Sequence, residues 1–297
     1  MANNYAVRTD SLTEYLVTAS KGAKTRNGGD YTTLRMTDGQ SERTVNIWDN
    51  PPDKRPLVGE LVAFTDLQEN DGKYSARHSN LRRKGPCPPE HPLYHLLPHP
   101  LDRPTWDACI ARLTNLCSAA DPLTALIADL APSLYPAYTR FPAATANHHA
   151  FPGGLLNHTY QMLRMLEGIY PTLPYPISLP QCTIAILFHD YGKVYEYLEN
   201  GDPQPDMALL GHVFISANRA HNYLKEHGID DPTIKRVTHI ILAHHGQYEF
   251  GAPVLPCTQE AILVNALDNL SAKMDALNGT PHMERCFALS GARAIKQ

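Results

Sequence analysis

The chain has 297 residues, 43% of them hydrophobic and 19% charged, and a formal net charge of −4 at pH 7. That length is ample for one or two buried cores, and the net acidity excludes a chain coated throughout for nucleic-acid binding. The longest apolar runs, such as Ile240–Ala243 and Ala261–Val264, fall far short of the ~20 residues a membrane helix needs. No basic and apolar leader precedes Asn4, so the cytoplasm is the expected location. The six cysteines (Cys87, Cys109, Cys117, Cys182, Cys257, Cys286) are dispersed without a CxxC pair. A disulfide framework or a thiolate zinc site is therefore not expected. Fifteen histidines remain as the unusual feature of the composition.

Residues 1–84 carry 13 Lys and Arg against 11 Asp and Glu, whereas the remainder carries 13 against 19. A mildly basic first segment joined to an acidic second is compatible with two jobs in one chain. The first 84 residues read as short strands. Leu34 and Met36 alternate with Tyr31, Thr33 and Arg35, and Val45 and Ile47 alternate with Asn46 and Trp48. Further strands are expected over 61–65 and 74–81, with turns at Asn27-Gly28-Gly29, Asp38-Gly39 and Asp71-Gly72. About five short strands in so few residues suggest a small all-β barrel of the oligonucleotide-binding (OB) type. Its binding face would combine aromatics that stack on bases with cations that meet phosphates. Tyr31, Trp48 and Tyr74 with Arg35, Lys73 and Arg77 can supply both, and cross-strand packing is the competing use of such aromatics.

Prolines crowd the next stretch, from Gly85-Pro-Cys-Pro-Pro89 to Pro104. Residues 85–105 are expected to form a stiff, extended linker, with His91, His95 and His99 as loop residues. From Trp106 onward apolar residues recur at three- and four-residue steps, so 106–297 reads as all-α. Helices are expected through 113–130 and over 154–170, 183–197, 210–227, 233–243 and 258–274. No phosphate-binding GxxxxGK[ST] loop, dinucleotide-binding GxGxxG turn or GxSxG elbow occurs.

The helical segment contains His158, His189-Asp190, His212, His244-His245 and Asp268, each on or at the end of an expected helix and beside apolar residues. Burying one imidazole or carboxylate in such surroundings costs free energy unless it is paired or metal-bound. Seven in one bundle call for a metal. Imidazole and carboxylate without thiolate suit Mn²⁺, Fe²⁺, Co²⁺ or Ni²⁺ at least as well as Zn²⁺.

The ordered set His158, His189-Asp190 and Asp268 resembles the signature of the HD-domain metal-dependent phosphohydrolases, and His212 with His244-His245 resembles their dinuclear branch. The flanks GGLLNHT, FHDYGKVYEY, LLGHVFIS and HHGQYEFGAPVLP, followed by EAILVNALDNLSAKMD, are similar to the YhaM-type 3′–5′ exoribonucleases, in which an OB domain precedes the HD domain. YLVTASKG from Tyr15, the Asn27-Gly28 turn and Ile47-Trp-Asp49 extend the likeness to the first segment.

The resemblance implies one metal held by His158, His189, Asp190 and Asp268. A second would be held by His212, His244 and His245, with Asp190 bridging; manganese is the expected ion. It places Lys193 near the scissile phosphate, on the helix face of His189, with Gly192 leaving room. The implied reaction is metal-assisted hydrolysis that releases nucleoside 5′-monophosphates from a 3′ end of single-stranded RNA, with single-stranded DNA as a further substrate. The barrel would hold the strand. His148 and His149 precede the GGLL motif and are candidates for a substrate or supporting role.

Four other histidines and one aspartate are expected to be ordinary: His239 packed or at the surface, His221, His227 and His282 at the surface, and Asp275 capping or facing solvent. Tyr248 and Phe250 are open between core packing and base stacking. Alternative functions are a phosphohydrolase of small nucleotides with the barrel as a regulatory module, or a single-strand-binding protein whose HD fold is structural. A di-iron oxygenase on the same scaffold is a further, weaker one. Assembly into a homo-oligomer is left open, and no membrane partner is expected.

Overall fold

The computed structural model describes residues 13–97, 101–145, 148–199, 201–279 and 295. His99 and His282 lie outside the described residues. The chain divides into two compact units, residues 1–99 and 100–297.

The first unit is a curled sheet of seven strands: β1 Tyr15–Lys24, β2 Asp30–Thr37, β3 Glu42–Trp48, β4 Glu60–Phe64, β5 Gln68–Asn70, β6 Lys73–Arg77 and β7 Leu81–Pro86. Their order is β5-β6-β3-β2-β1-β4-β7. All neighbours are antiparallel except β3 and β6. Strands β6 and β7 lie towards opposite ends of that order, yet only the turn His78–Asn80 separates them in sequence. Three residues span little more than 10 Å, so the sheet must curl strongly, into a half-barrel. That is the OB-like architecture expected from the sequence.

Period-two alternation aims Val17, Leu34, Met36, Val45, Ile47 and Val62 into one core. The β5–β6 hairpin turns on Asp71 (φ 52°) and Gly72 (φ 73°), the two left-handed residues a tight type I′ turn requires. Strand β1 was not expected. A bulge between Val17 and Ala19 breaks its alternation, which erases the period-two signal.

The proline-rich stretch begins as sheet. Strand β7 pairs with β4 as far as Pro86, Cys87 N–H donates to Gly59 O at 2.9 Å, and Cys87 and Leu93 pack on Leu16 and Leu61. Farther on, the stretch forms the 3-10 turn Tyr94–Leu96 and by Arg103 it has entered a helix, so it is not the stiff extended linker expected over 85–105.

The second unit contains α1 Arg103–Leu116, α2 Pro122–Tyr138, α3 Gly154–Ile169, α4 Leu179–Phe188, α5 Lys193–Glu196, α6 Pro205–Leu209, α7 His212–Glu226, α8 Asp231–Ala243 and α9 Gln259–Gly279. Its core runs from Trp106, whose indole donates to Ala131 O at 3.2 Å, through Leu155, Leu163, Ile186 and Val237 to Val264. The single helix expected over 183–197 is two. Helix α4 stops at Phe188, and a turn through His189–Gly192 precedes the single turn α5. Among the described residues no helix is long and apolar enough to cross a membrane.

Candidate metal centre

Asp190 sits in the turn between α4 and α5, almost completely buried. Its Oδ2 lies 3.3 Å from His189 Nε2 and 3.7 Å from His158 Nε2, and His158 Nε2 is 3.1 Å from Asp268 Oδ1 on α9. Its other oxygen, Oδ1, lies 3.5 Å from His212 Nε2 and 3.8 Å from His244 Nε2, and His245 Nε2 is 3.3 Å from His212 Nε2. The structure therefore brings all seven side chains singled out in the sequence into one cluster. It has two lobes, and the two oxygens of Asp190 face one lobe each. Two groups, His158-His189-Asp190 and His212-His244-His245, have donor atoms close enough to share an ion.

The outer nitrogens of four imidazoles are tied down. His189 Nδ1–H donates to Ile186 O at 2.8 Å, and His244 Nδ1–H to Ile241 O at 2.6 Å, because both residues follow a helix whose last carbonyls are free. His212 Nδ1–H donates to Glu196 Oε2 at 3.0 Å. His158 Nδ1–H donates to Ser271 Oγ at 2.9 Å, whose own hydroxyl donates to Gln161 Oε1. These partners assign the proton to Nδ1 and leave the Nε2 lone pairs pointing inward.

His158 and His189 then face each other Nε2 to Nε2 at 3.2 Å, lone pair against lone pair. That arrangement is repulsive without a cation between them. Asp190 Oδ1 and His244 Nε2 are buried with no protein partner, which is costly for groups of this polarity. Burial, and then His245 beside it, push the His244 imidazole well below its usual range, so it is a neutral donor. The donor set fits divalent metal ions.

Lys193 was expected beside the substrate phosphate on the helix of His189. The break after Phe188 puts it on α5 instead, buried, with Nζ 2.6 Å from Asp190 Oδ2. Burial opposes the charge of Asp190, yet the Lys193 ammonium beside it holds its carboxyl well below the usual carboxylate range. The turn exists because Gly192 lies against the start of α7: a Cβ there would sit 2.4 Å from His212 O. Gly192 N–H donates to Ser216 Oγ at 2.8 Å, which locks that contact.

His149 is buried and left-handed (φ 44°), and its N–H donates to Asp275 Oδ2 at 2.6 Å. Asp275 thus holds this segment rather than a helix cap. His148 is partly exposed beside the cluster, its ring 5.8 Å from that of His158. Burial lowers its pKa to about 4, with Lys193 and His158 adding to the shift. His239 is not part of the cluster; it accepts the Cys257 N–H at 3.1 Å.

On the β unit, Tyr31, Trp48 and Arg77 are register partners across β2, β3 and β6, and the Tyr31 and Trp48 rings are 5.2 Å apart. Arg35 shares their face two pairs along β2, and Lys73 shares the face of Arg77 on β6. Tyr74 takes the opposite face, packed against the barrel core beneath the Arg43 guanidinium. Grouping Tyr74 with Lys73 and Arg77 overlooked the period of two.

Residues 155–273 match the HD domain family. The 3′–5′ exoribonuclease YhaM of Halalkalibacterium halodurans is 27% identical over 286 residues, 89% of this chain and 83% of that protein. The helical unit matches the HD domain family, and the chain is similar to a YhaM-type exoribonuclease along most of its length. YhaM of Bacillus pumilus is 33% identical over 54% of this chain and 53% of its own length; that of Shouchella clausii is 37% identical over 48% and 45%. No solved structure gives a significant match.

Sequence reasoning missed Glu196, Ser271 and Gln161, which aim the imidazoles. Glu196 and Ser271 had a signal, their places inside the FHDYGKVYEY and EAILVNALDNLSAKMD flanks, and Gln161 had none. Glu196 accepts both the backbone N–H of His212, through Oε1, and its Nδ1–H, through Oε2. Glu196→Gln keeps the shape but removes the charge that supports the imidazole. Metal affinity is expected to fall about 10- to 100-fold with the fold intact, read by metal titration and circular dichroism.

Proposed function

We propose that this chain is a metal-dependent 3′–5′ exoribonuclease that holds a single strand on the outer face of its β unit. The observation that carries the reading is Asp190, a buried carboxylate with one oxygen in each of two imidazole-lined lobes. One ion is assigned to His158, His189, Asp190 and Asp268, and the other to His212, His244 and His245 with Asp190 shared. Manganese suits this imidazole–carboxylate set without thiolate, and Fe²⁺, Co²⁺, Ni²⁺ and Zn²⁺ are its competitors. Bound there, the ions supply Lewis acidity to the phosphoryl oxygens.

The chain's own residues do the rest. His189 and Asp190 are the catalytic ligands at the meeting point of the lobes. Lys193 acts through Asp190, balancing its charge so that it stays ionised in a dry site. His148 contacts the substrate at the His158 side, and buried His149 fixes the backbone that carries it. Cys87, Cys109, Cys117, Cys182 and Cys257 are free thiols, in keeping with work in the reducing cytoplasm.

Tyr31 and Trp48 stack bases, and Arg35, Lys73 and Arg77 meet phosphates. Replacing Arg35 and Arg77 by glutamine is expected to weaken strand binding. It should also flatten the slope of log K against log salt by about 1.4, since each phosphate contact on a single strand contributes ~0.7. Fluorescence anisotropy across a salt series reads both effects.

A 5′-labelled oligoribonucleotide with Mn²⁺ tests the reaction. The expected result is a ladder shortening from the 3′ end with release of nucleoside 5′-monophosphates. A strand left intact by an enzyme that hydrolyses small nucleotides would replace this reading with that of a small-nucleotide phosphohydrolase. Running the same assay on single-stranded DNA shows which sugar is preferred.

A further inference from the structure

Directly after the His244-His245 pair the chain forms a tight loop. Gly246 N–H donates to Ala243 O, Gln247 N–H to His245 O, Phe250 N–H to Gln247 O and Ala252 N–H to Gln247 O. Gly246 (φ 78°) lies so close to Asn265 that a Cβ would stand 2.5 Å from its Nδ2, and the same amide donates to His244 O. Gly251 (φ 89°) closes the loop back onto the centre, its Cβ position 3.7 Å from His245 Nδ1. The loop is thus tied to the cluster at its first end by the Asn265 bond to His244, and its far end returns beside the His245 ring.

Its tip carries two large aromatics, and both are turned out to solvent: Tyr248 is 66% exposed and Phe250 63%. Neither takes part in the core of the helical unit. An isolated exposed ring is unremarkable, but two within three residues on a rigid loop form an apolar surface held in place beside the centre.

We infer that Tyr248 and Phe250 form a nucleobase-stacking platform for the unpaired bases next to the phosphodiester being cut. The inference rests on the function proposed above and adds a subsite to it. Three features select this occupant. The surface is aromatic rather than aliphatic, which suits the π-face that every base presents whatever its sequence. It is preorganised, so little ordering is lost on binding. And it is continuous, through Gly251 and His245, with the cluster where the phosphate must lie. Stacking of this kind admits only bases freed from a duplex, so the platform would also favour single strands over paired ends.

The test compares full-length wild type with Tyr248→Ala/Phe250→Ala on two RNA strands, one unmodified and one carrying abasic residues at the last two positions before the cut. On the unmodified strand the double variant is expected to lose about 10- to 100-fold in kcat/KM, chiefly through KM. On the abasic strand wild type should lose a similar factor, and the double variant should lose no more. Tyr248→Phe and Phe250→Tyr should restore wild-type values.

Equal losses by the variant on both strands would overturn the platform, because its effect would then be blind to bases. So would a change of oligomeric state in sedimentation, which would make this surface a contact between copies of the chain. Failure of wild type to shorten any strand would refute the proposed function instead, so the two failures are distinct.

Discussion

An Asp190→Asn enzyme is expected to lose hydrolysis by at least about a thousandfold, the effect of forfeiting several kcal/mol of charge stabilisation in the transition state. Among the described residues Asp190 is the one carboxylate whose oxygens face both lobes, 3.3 Å from His189 on one side and 3.5 Å from His212 on the other. The amide keeps the volume but presents one neutral oxygen and an NH₂ that repels a cation. The substitution has a second consequence. Lys193 is buried and its ammonium, 2.6 Å from Asp190 Oδ2, would lose its counter-charge. Breaking a buried pair in this way costs about 3–5 kcal/mol of stability. Asp190→Asn/Lys193→Met separates the two effects: the fold should recover in thermal unfolding, while activity and metal content should not. Strand binding by the β unit should persist in both variants.

Gly192→Ala is the next largest. A methyl group there meets the His212 backbone, with O at 2.4 Å and Cα at 2.6 Å. Backbone cannot swing aside as a side chain can, so either the His189–Gly192 turn or the first turn of α7 must move. Overpacking of this kind costs about 1–3 kcal/mol. The damage to the centre is larger than that figure suggests, because His212 is the first residue of α7 and its approach to Asp190 depends on this contact. The variant is expected to fold, to hold metal weakly in the His212-His244-His245 lobe and to hydrolyse RNA at least tenfold more slowly. Wild-type metal content and rate would show that the glycine is there for the turn alone.

The seven clustered residues were legible because of an energetic conflict. Each is a polar side chain on or at the end of an expected helix and beside apolar residues, and a bundle tolerates several of these only if they meet. What the period could not show is which residues support them. Glu196 sits on a helix of one turn, too short to have a periodic face, and Ser271 and Gln161 look like any polar residues of a long helix.

The place of Lys193 was misread for a related reason. Helical period continued smoothly through 183–197, whereas the close approach of Gly192 to His212 is a tertiary contact that breaks it. In the β unit, alternation gave β2 and β3 at once but not β1, whose bulge resets the register. The prolines after Lys84 marked a stretch that is extended only at its start and turns at Tyr94–Leu96, and they said nothing about what it lies on; Cys87 and Leu93 show that its first part covers Leu16 and Leu61. Tyr248 and Phe250 were undecidable in sequence, since an aromatic after a histidine pair packs inward as readily as outward. Only the turn around Gly246 and Gly251 settles their exposure.

The most direct measurement is a metal titration of chelator-stripped protein, with ions bound per chain and hydrolysis of 5′-labelled RNA followed in the same samples. Binding should rise to two Mn²⁺ per chain, with 3′-to-5′ shortening absent from the stripped protein and rising with occupancy. Full hydrolysis by the stripped protein, or shortening that does not depend on the bound ions, would contradict a centre built on Asp190.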